Sequence, residues 1–245
     1  MFDRKKYKRF ARMQLKSRWL TPVLMTLIAF VIIFAMNIPA FINSLKDSFK
    51  TMDIIIDSGP EIANRLLFSM PQSPYWKAVY NLASWAGMLV QFVLEFSMIS
   101  VYVKMSHGPE PVSIENFIEG LSLWAKGILC GMWKALWIFL WSLLFIIPGL
   151  VKSYAYSQTE YLLNEYPELS VTKAMRISIL ITRGYKGDLF IQDLSFIGWQ
   201  ILATLSLGIG YLWLVPYMYM TRVNAFHGLL RDAVAAGIIT KEDLK

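Results

Sequence analysis

The chain has 245 residues, of which 56% are hydrophobic and only 17% are charged, and its mean hydropathy is +0.45. Soluble domains carry about 25% charged residues. This composition is therefore typical of a membrane protein, and it argues against nucleic-acid binding despite the net charge of +7. A single cysteine, Cys130, excludes a fold built on disulfides, and we expect it to fill a small apolar space.

The chain opens with a basic segment, residues 1–18. Its basic residues are Arg4, Lys5, Lys6, Lys8, Arg9, Arg12, Lys16 and Arg18. Residues 19–45 follow without a single charge, which is too long for the apolar core of a cleaved signal peptide and long enough to span a bilayer. Two interpretations of the basic segment stay open: it lies along the inner leaflet and binds anionic lipid, or it only holds the N-terminus inside.

Five further apolar stretches predict spanning helices. They are residues 78–103, 127–147, 149–165, 188–206 and 209–227. Pro148 and Gly149 separate two of them, because proline ends one helix or opens the next. Gly208 and Gly210 separate the last two, although one long tilted helix is the alternative. The prediction is an all-α, polytopic bundle with one membrane domain, residues 19–230, and a cytoplasmic tail, residues 231–245.

The positions of the basic residues give a topology. With six helices and the N-terminus inside, 18 of the 24 Lys and Arg residues fall on the cytoplasmic side, as the positive-inside rule expects. If residues 149–165 did not span, the basic segment 173–186 would lie outside. We therefore expect a multi-pass protein with both termini in the cytoplasm.

Three segments between the spans have features of their own. Residues 46–76 form the predicted outer loop, either with a short amphipathic helix on the membrane surface or as a cap over the bundle. Residues 169–182 predict an amphipathic helix at the cytoplasmic surface after the fourth span. The turn that follows holds Arg183 and Lys186. It either meets a phosphate head group or a partner protein, or is only a surface turn.

Ionisable and amide side chains inside predicted spans are the main functional candidates, since a charge at the centre of a membrane helix costs about 2.5–3.5 kcal/mol. They are Glu95, Lys134, Lys152, Gln158, Glu160, Gln192 and Asp193. Glu95 and Lys134 lie at similar depths, about 12–14 Å from the cytoplasmic helix ends, which predicts an ion pair. Lys152 is expected to extend towards the outer surface. This polar layer is either a substrate or proton pathway or a structural network.

Other residue patterns carry weaker signals. Trp133, Trp137 and Trp141 share one helical face, as a core or lipid-facing stripe or as a box for ligand stacking. His107 and His227 are far apart in sequence and lack a second ligand at metal spacing, so no metal site is predicted. No catalytic motif or cofactor loop is found, which argues against an enzyme and against a bound cofactor.

Several short sequence motifs, which follow one another between about residues 140 and 226, resemble those of a known family. They are Ile147-Pro148-Gly149, Lys152 to Ser157, Ala174, Ser178, Gly184, Lys186-Gly187, Leu189-Phe190, Asp193 to Trp199, Gly208-Ile209-Gly210 and Pro216-Tyr217. The sequence resembles an uncharacterised bacterial membrane protein family, domain of unknown function 975, and distantly the membrane domains of some glycerophosphodiesterases. The resemblance implies a six-helix protein of the bacterial cytoplasmic membrane and no established activity.

Two functions remain from the sequence. The first is a non-catalytic membrane factor that binds lipid or a membrane protein partner, of a transporter-accessory or an immunity and stress type. The alternative is a small transporter or lipid-handling protein that uses the inner polar layer.

Overall fold

The computed structural model describes residues 2–58, 74–108 and 112–244, and every regular element within them is an α-helix. The helices are α1 Arg4–Leu15, α2 Leu20–Ser58, α3 Pro74–His107, α4 Ile114–Ser122, α5 Trp124–Leu144, α6 Ile146–Tyr156, α7 Thr159–Glu165, α8 Val171–Ile181, α9 Lys186–Leu194, α10 Ile197–Leu205 and α11 Tyr211–Ala235. The all-α class is therefore confirmed. The chain forms two compact units, Ile28–Gln91 and Met1–Leu27 together with Phe92–Lys245.

Within the described residues, three stretches are long and apolar enough to cross a membrane. They are Leu20–Ile38, Asn81–His107 and Trp124–Leu144, and they overlap the first three predicted spans. The fourth and fifth predicted spans each fall on two short helices, and the sixth falls on α11, which continues to Ala235. The six-span count therefore stays a prediction.

The unit Ile28–Gln91 contains most of α2 and the first half of α3. Helix α2 continues to Ser58, so residues 46–58 of the predicted outer loop are helical and continuous with the first apolar stretch. Residues 59–73 of that predicted loop lie outside the described residues, and its residues 74–76 begin α3. Large apolar side chains are exposed on both helices, among them Phe34, Phe41, Leu82 and Trp85. Such a surface is typical of contact with lipid or another protein.

Helices α5 and α6 form a tight hairpin in the larger unit. The break falls at Phe145, whose backbone is extended at φ −163° and ψ 153°, three residues before the predicted break at Pro148. Pro148 instead lies in the first turn of α6, where its missing N–H costs no helical hydrogen bond. At Gly149 an added Cβ would lie 2.0 Å from the Ser142 hydroxyl, so glycine permits the close approach. The apolar tip of this hairpin, including Ile146 and Ile147, is exposed.

The predicted helix 149–165 is broken between α6 and α7. The Ser178 side chain of α8 fills the break: its hydroxyl donates to Ala155 O at 2.7 Å and accepts from Gln158 N at 3.1 Å. Thr182, the C-cap residue of α8, donates to Ala155 O at 3.4 Å. Backbone groups released by the break are thus satisfied by a neighbouring helix, as buried polar backbone requires. Helix α8 confirms the predicted helix at residues 169–182, and its Ala174, Ser178 and Ile181 are buried.

The segment 188–227 is not one long helix. Helix α10 ends at Leu205 and α11 begins at Tyr211, with Gly208 at φ +87°, a conformation that favours glycine. The glycine break predicted there is confirmed. A second, unpredicted break separates α9 from α10 at Ser195 and Phe196. The Phe196 ring is fully buried.

The basic N-terminal segment forms α1, which begins at the N-cap Asp3 and packs along α11. Tyr7 is buried against Gly228, and Arg12 Nε donates to the Tyr217 hydroxyl at 3.1 Å. Burial, followed by the nearby Asp232 carboxylate, raises the pKa of Tyr7. The segment is therefore part of the folded larger unit. Lys8 and Arg18 are half-buried, and the other basic side chains of the segment are exposed.

Candidate functional site

A polar cavity of about 280 Å³ lies in the larger unit, between α3, α5, α6, α7, α9 and α11. Six of the seven predicted intramembrane polar residues line it: Glu95, Lys134, Gln158, Glu160, Gln192 and Asp193. The structure adds Ser153, Tyr154, Ser157, Tyr161 and Arg222 to its polar wall. Residues from six helices thus converge on one space, which we call the polar cavity.

Lys134 on α5 forms a buried ion pair with Glu160 on α7. The Lys134 Nζ lies 2.7 Å from Glu160 Oε1, and the two side chains are only 18% and 10% exposed. The predicted pairing of Lys134 with Glu95 is wrong. The helix break after Tyr156 turns α7 towards α5 and brings Glu160 to the lysine, which a depth estimate along straight helices does not anticipate.

Asp193 on α9 forms the second ion pair. Its Oδ1 accepts from Arg222 NH2 at 3.0 Å and from Arg222 Nε at 3.1 Å, while the Tyr154 hydroxyl donates to Oδ2 at 3.3 Å. These contacts join α6, α9 and α11. A cation and a hydroxyl donor therefore hold the Asp193 side chain in place beside the cavity.

Two glutamines present unpartnered acceptors beside the cavity. Gln158 Oε1 and Gln192 Oε1 are buried and accept no hydrogen bond from the described residues. Their side chains are 3% and 1% exposed. A buried carbonyl without a donor costs about 1–3 kcal/mol, so this arrangement favours a donor group inside the cavity.

The charges around the cavity are unequal. Glu95, Glu160 and Asp193 supply three carboxylates, whereas Lys134 and Arg222 supply two cations that already have partners. Among the described residues, Glu95 has no ion-pair partner within 4 Å and no hydrogen bond. The cavity thus carries one carboxylate without a direct partner, together with two amide acceptors, and this chemistry suits a cationic N–H donor.

A second cavity, of about 320 Å³, lies beside the tryptophan face of α5. Trp133, Trp137 and Trp141 line it together with Lys152 and Arg176. Lys152 Nζ lies 4.3 Å from the centroid of the Trp141 ring, a cation–π distance. Lys152 is the one predicted polar residue that does not join the polar cavity, and its cation faces an indole ring. Trp133 and Trp137 contact each other edge to face, with centroids 6.1 Å apart.

The remaining predicted positions lie apart from both cavities. Arg183 is exposed in the turn before α9, where Gly184 adopts φ +87°, and Lys186 is the first residue of α9. Cys130 is fully buried within α5. Pro148 and Gly149 lie in the first turn of α6, just after the break at Phe145, and Gly208 and Gly210 lie in the break before α11.

Sequence reasoning missed Arg222, Tyr154 and Tyr161 as cavity residues. The predicted topology places Arg222 among the 18 cytoplasmic Lys and Arg residues, although it falls inside the predicted helix 209–227. A charge within a predicted span was the available signal. Tyr154 and Tyr161 gave no such signal, because an aromatic residue on an apolar helix usually belongs to the core.

Residues 143–232 match the model of a family described as protein of unknown function DUF975. No curated protein and no solved structure matched the chain. The matched region includes α6 to α10 and nearly all of α11, so it supplies Tyr154, Gln158, Glu160, Asp193 and Arg222 to the polar cavity. Glu95 and Lys134 come from the preceding part of the chain. The match supports the resemblance to that family and covers well under half of the chain.

Proposed function

We propose that this chain is a non-catalytic integral membrane protein whose polar cavity binds the ammonium group of a lipid head group or of a small amphipathic molecule. The observation that carries the proposal is the unpaired Glu95 carboxylate in a cavity that also presents two buried amide acceptors. Three apolar helices of membrane length and the exposed apolar side chains support the membrane assignment.

Cavity size limits the bound group. Pockets for drug-sized ligands measure about 300–1,000 Å³, and the polar cavity at about 280 Å³ lies just below this range. A head group or a small amine fits this volume, whereas a whole lipid does not. Acyl chains of a lipid ligand would therefore remain outside, against the apolar helix surfaces.

The test is to purify the full-length protein in a mild detergent and identify co-purifying lipids and small molecules by mass spectrometry. We expect an amine-bearing molecule with the wild-type protein and at least tenfold less of it with Glu95→Gln, because the substitution removes the charge and keeps the shape. Glu115→Gln, at an exposed glutamate outside the cavity, is the matched control and should behave as wild type.

Other outcomes discriminate among the remaining functions. Equal amounts of the same amine with wild type and Glu95→Gln would contradict the assignment of the cavity as its site. A stoichiometric protein partner retained by both variants would favour the accessory or immunity-type factor instead.

Transport is the second candidate, because broken helices flank the cavity. Gln158 lies in the α6–α7 break, and Asp193 lies two residues before the α9–α10 break begins at Ser195. Interrupted helices at a polar site are typical of transporters. Flux of the co-purified amine in proteoliposomes, lost in Glu95→Gln but not in Glu115→Gln, would support transport. Binding without flux would favour the non-transporting factor.

A further inference from the structure

Both histidines of the chain meet at one place away from the polar cavity. His107 is the last residue of α3, and His227 lies in α11, 120 positions later, yet their ring centroids are 5.3 Å apart. Glu165, the last residue of α7, joins them: its Oε2 lies 2.9 Å from His107 Nε2. Three helices thus deliver two imidazoles and one carboxylate to a single point.

The spacing of these groups suits a metal ion. One ligand atom from each of His107, Glu165 and His227 lies within 4.8 Å of the other two. Ligand atoms about 2.0–2.1 Å from a tetrahedral zinc ion lie about 3.3 Å from one another. Small side-chain rotations therefore bring the three donors to coordination distance without movement of the helices.

A hydrogen bond already orients the His227 ring. The Ser106 hydroxyl donates its single hydrogen to Val103 O at 2.6 Å and lies 2.8 Å from His227 Nε2. Ser106 Oγ then accepts from Nε2–H, which leaves the lone pair of His227 on Nδ1. A metal-binding histidine commonly has its second ring nitrogen held in this way.

We propose that His107, Glu165 and His227 bind a divalent transition-metal ion, with Zn²⁺ as the representative ion. Two imidazoles and one carboxylate are a ligand set for zinc and its neighbours, and they leave one position open for water or another ligand. Because the three ligands come from α3, α7 and α11, the bound ion clamps these helices together. This site goes beyond the proposed function and does not depend on it.

The test uses full-length protein, purified in detergent through a tag without histidine and stripped with chelator. Isothermal titration with ZnCl₂ should give one ion per chain, and zinc should raise the Tm by several degrees because only the folded chain presents the site. His107→Ala, at an exposed position, and the near-isosteric Glu165→Gln should each weaken zinc binding at least tenfold and abolish the Tm rise. Glu168→Gln, at an exposed glutamate beside the site, is the control and should bind zinc as wild type does.

Two results would overturn the proposal. One is zinc binding of equal strength in wild type, His107→Ala and Glu165→Gln, which would place the ion elsewhere. The other is no stoichiometric binding to the wild type below millimolar zinc, which would leave the three residues as a hydrogen-bonded link between helix ends.

Discussion

Lys134 illustrates how a single buried charge is satisfied in this protein. It reaches Glu160 across the α5–α7 interface, while Glu95 lines the same cavity without a direct partner. Two carboxylates therefore share the neighbourhood of one ammonium group. Loss of the lysine leaves like charges facing each other, whereas loss of Glu160 leaves Lys134 with a second carboxylate nearby.

This asymmetry gives a prediction for the ion pair. Breaking a buried pair by removing one partner costs about 3–5 kcal/mol. We expect Lys134→Met to lower the Tm on the order of 10 °C and Glu160→Gln to lower it less. The double variant Lys134→Met with Glu160→Gln should recover most of the loss, as measured by thermal unfolding in detergent. A double variant whose loss equals the sum of the two single losses would contradict direct coupling between these residues.

At the scale of elements, α1 packs against other helices, whereas the sequence suggested only that residues 1–18 bind lipid or orient the N-terminus. Lys8 Nζ lies 3.4 Å from Ser195 O and 4.0 Å from the centroid of the Phe196 ring, at the α9–α10 break. Gln14 accepts from Asn224 of α11 at 2.7 Å. The N-terminal helix thus supplies a cation to a carbonyl exposed by a helix break, a structural role in addition to any role in orientation or lipid binding.

The packing of α1 against α11 depends on Gly228. A Cβ at this position would lie 2.2 Å from the Tyr7 hydroxyl oxygen and 2.8 Å from its Cζ. Overpacking of this kind costs about 1–3 kcal/mol, so we expect Gly228→Ala to loosen α1. Trypsin should then cleave the Lys- and Arg-rich α1 about tenfold faster, since local opening limits cleavage.

Gly187→Ala is the matched control for that experiment. It adds the same methyl group where no atom lies within 4 Å, so its cleavage rate should equal that of the wild type. Equal rates in Gly228→Ala and wild type would mean that α1 does not depend on this contact.

For the whole molecule, the open question is the number of membrane crossings. In the part of the chain that the structure describes, three helices have the length and apolarity to cross. The distribution of basic residues favours six crossings. The two topologies place Arg183 on opposite sides of the membrane when the N-terminus is inside. Three crossings before Arg183 place it outside, whereas a fourth crossing, by residues 149–165, returns it to the cytoplasm.

Cysteine labelling tests this topology. In a Cys130→Ala background, we expect a membrane-impermeant thiol reagent to label Ser48→Cys on intact cells, and Arg183→Cys only after permeabilisation. Both positions are exposed, so accessibility reports the side of the membrane. Labelling of Arg183→Cys on intact cells would contradict the crossing by residues 149–165. Lys241→Cys, in the C-terminal tail, reports whether the last two predicted spans form a pair and should label as Arg183→Cys does.

The sequence by itself determined the all-α class, the first three apolar helices, the glycine break at Gly208 and six of the polar residues that line the cavity. These follow from local properties, since apolar length, glycine conformation and the cost of an isolated charge are set by a residue and its near neighbours. The tertiary structure alone decided which carboxylate meets Lys134, because the α6–α7 break depends on Ser178 from another helix. It also decided that Arg222 meets Asp193 and that the two histidines meet Glu165. Each of these contacts joins residues at least 26 positions apart, and no periodicity along the chain encodes a contact that arises only when separate helices pack.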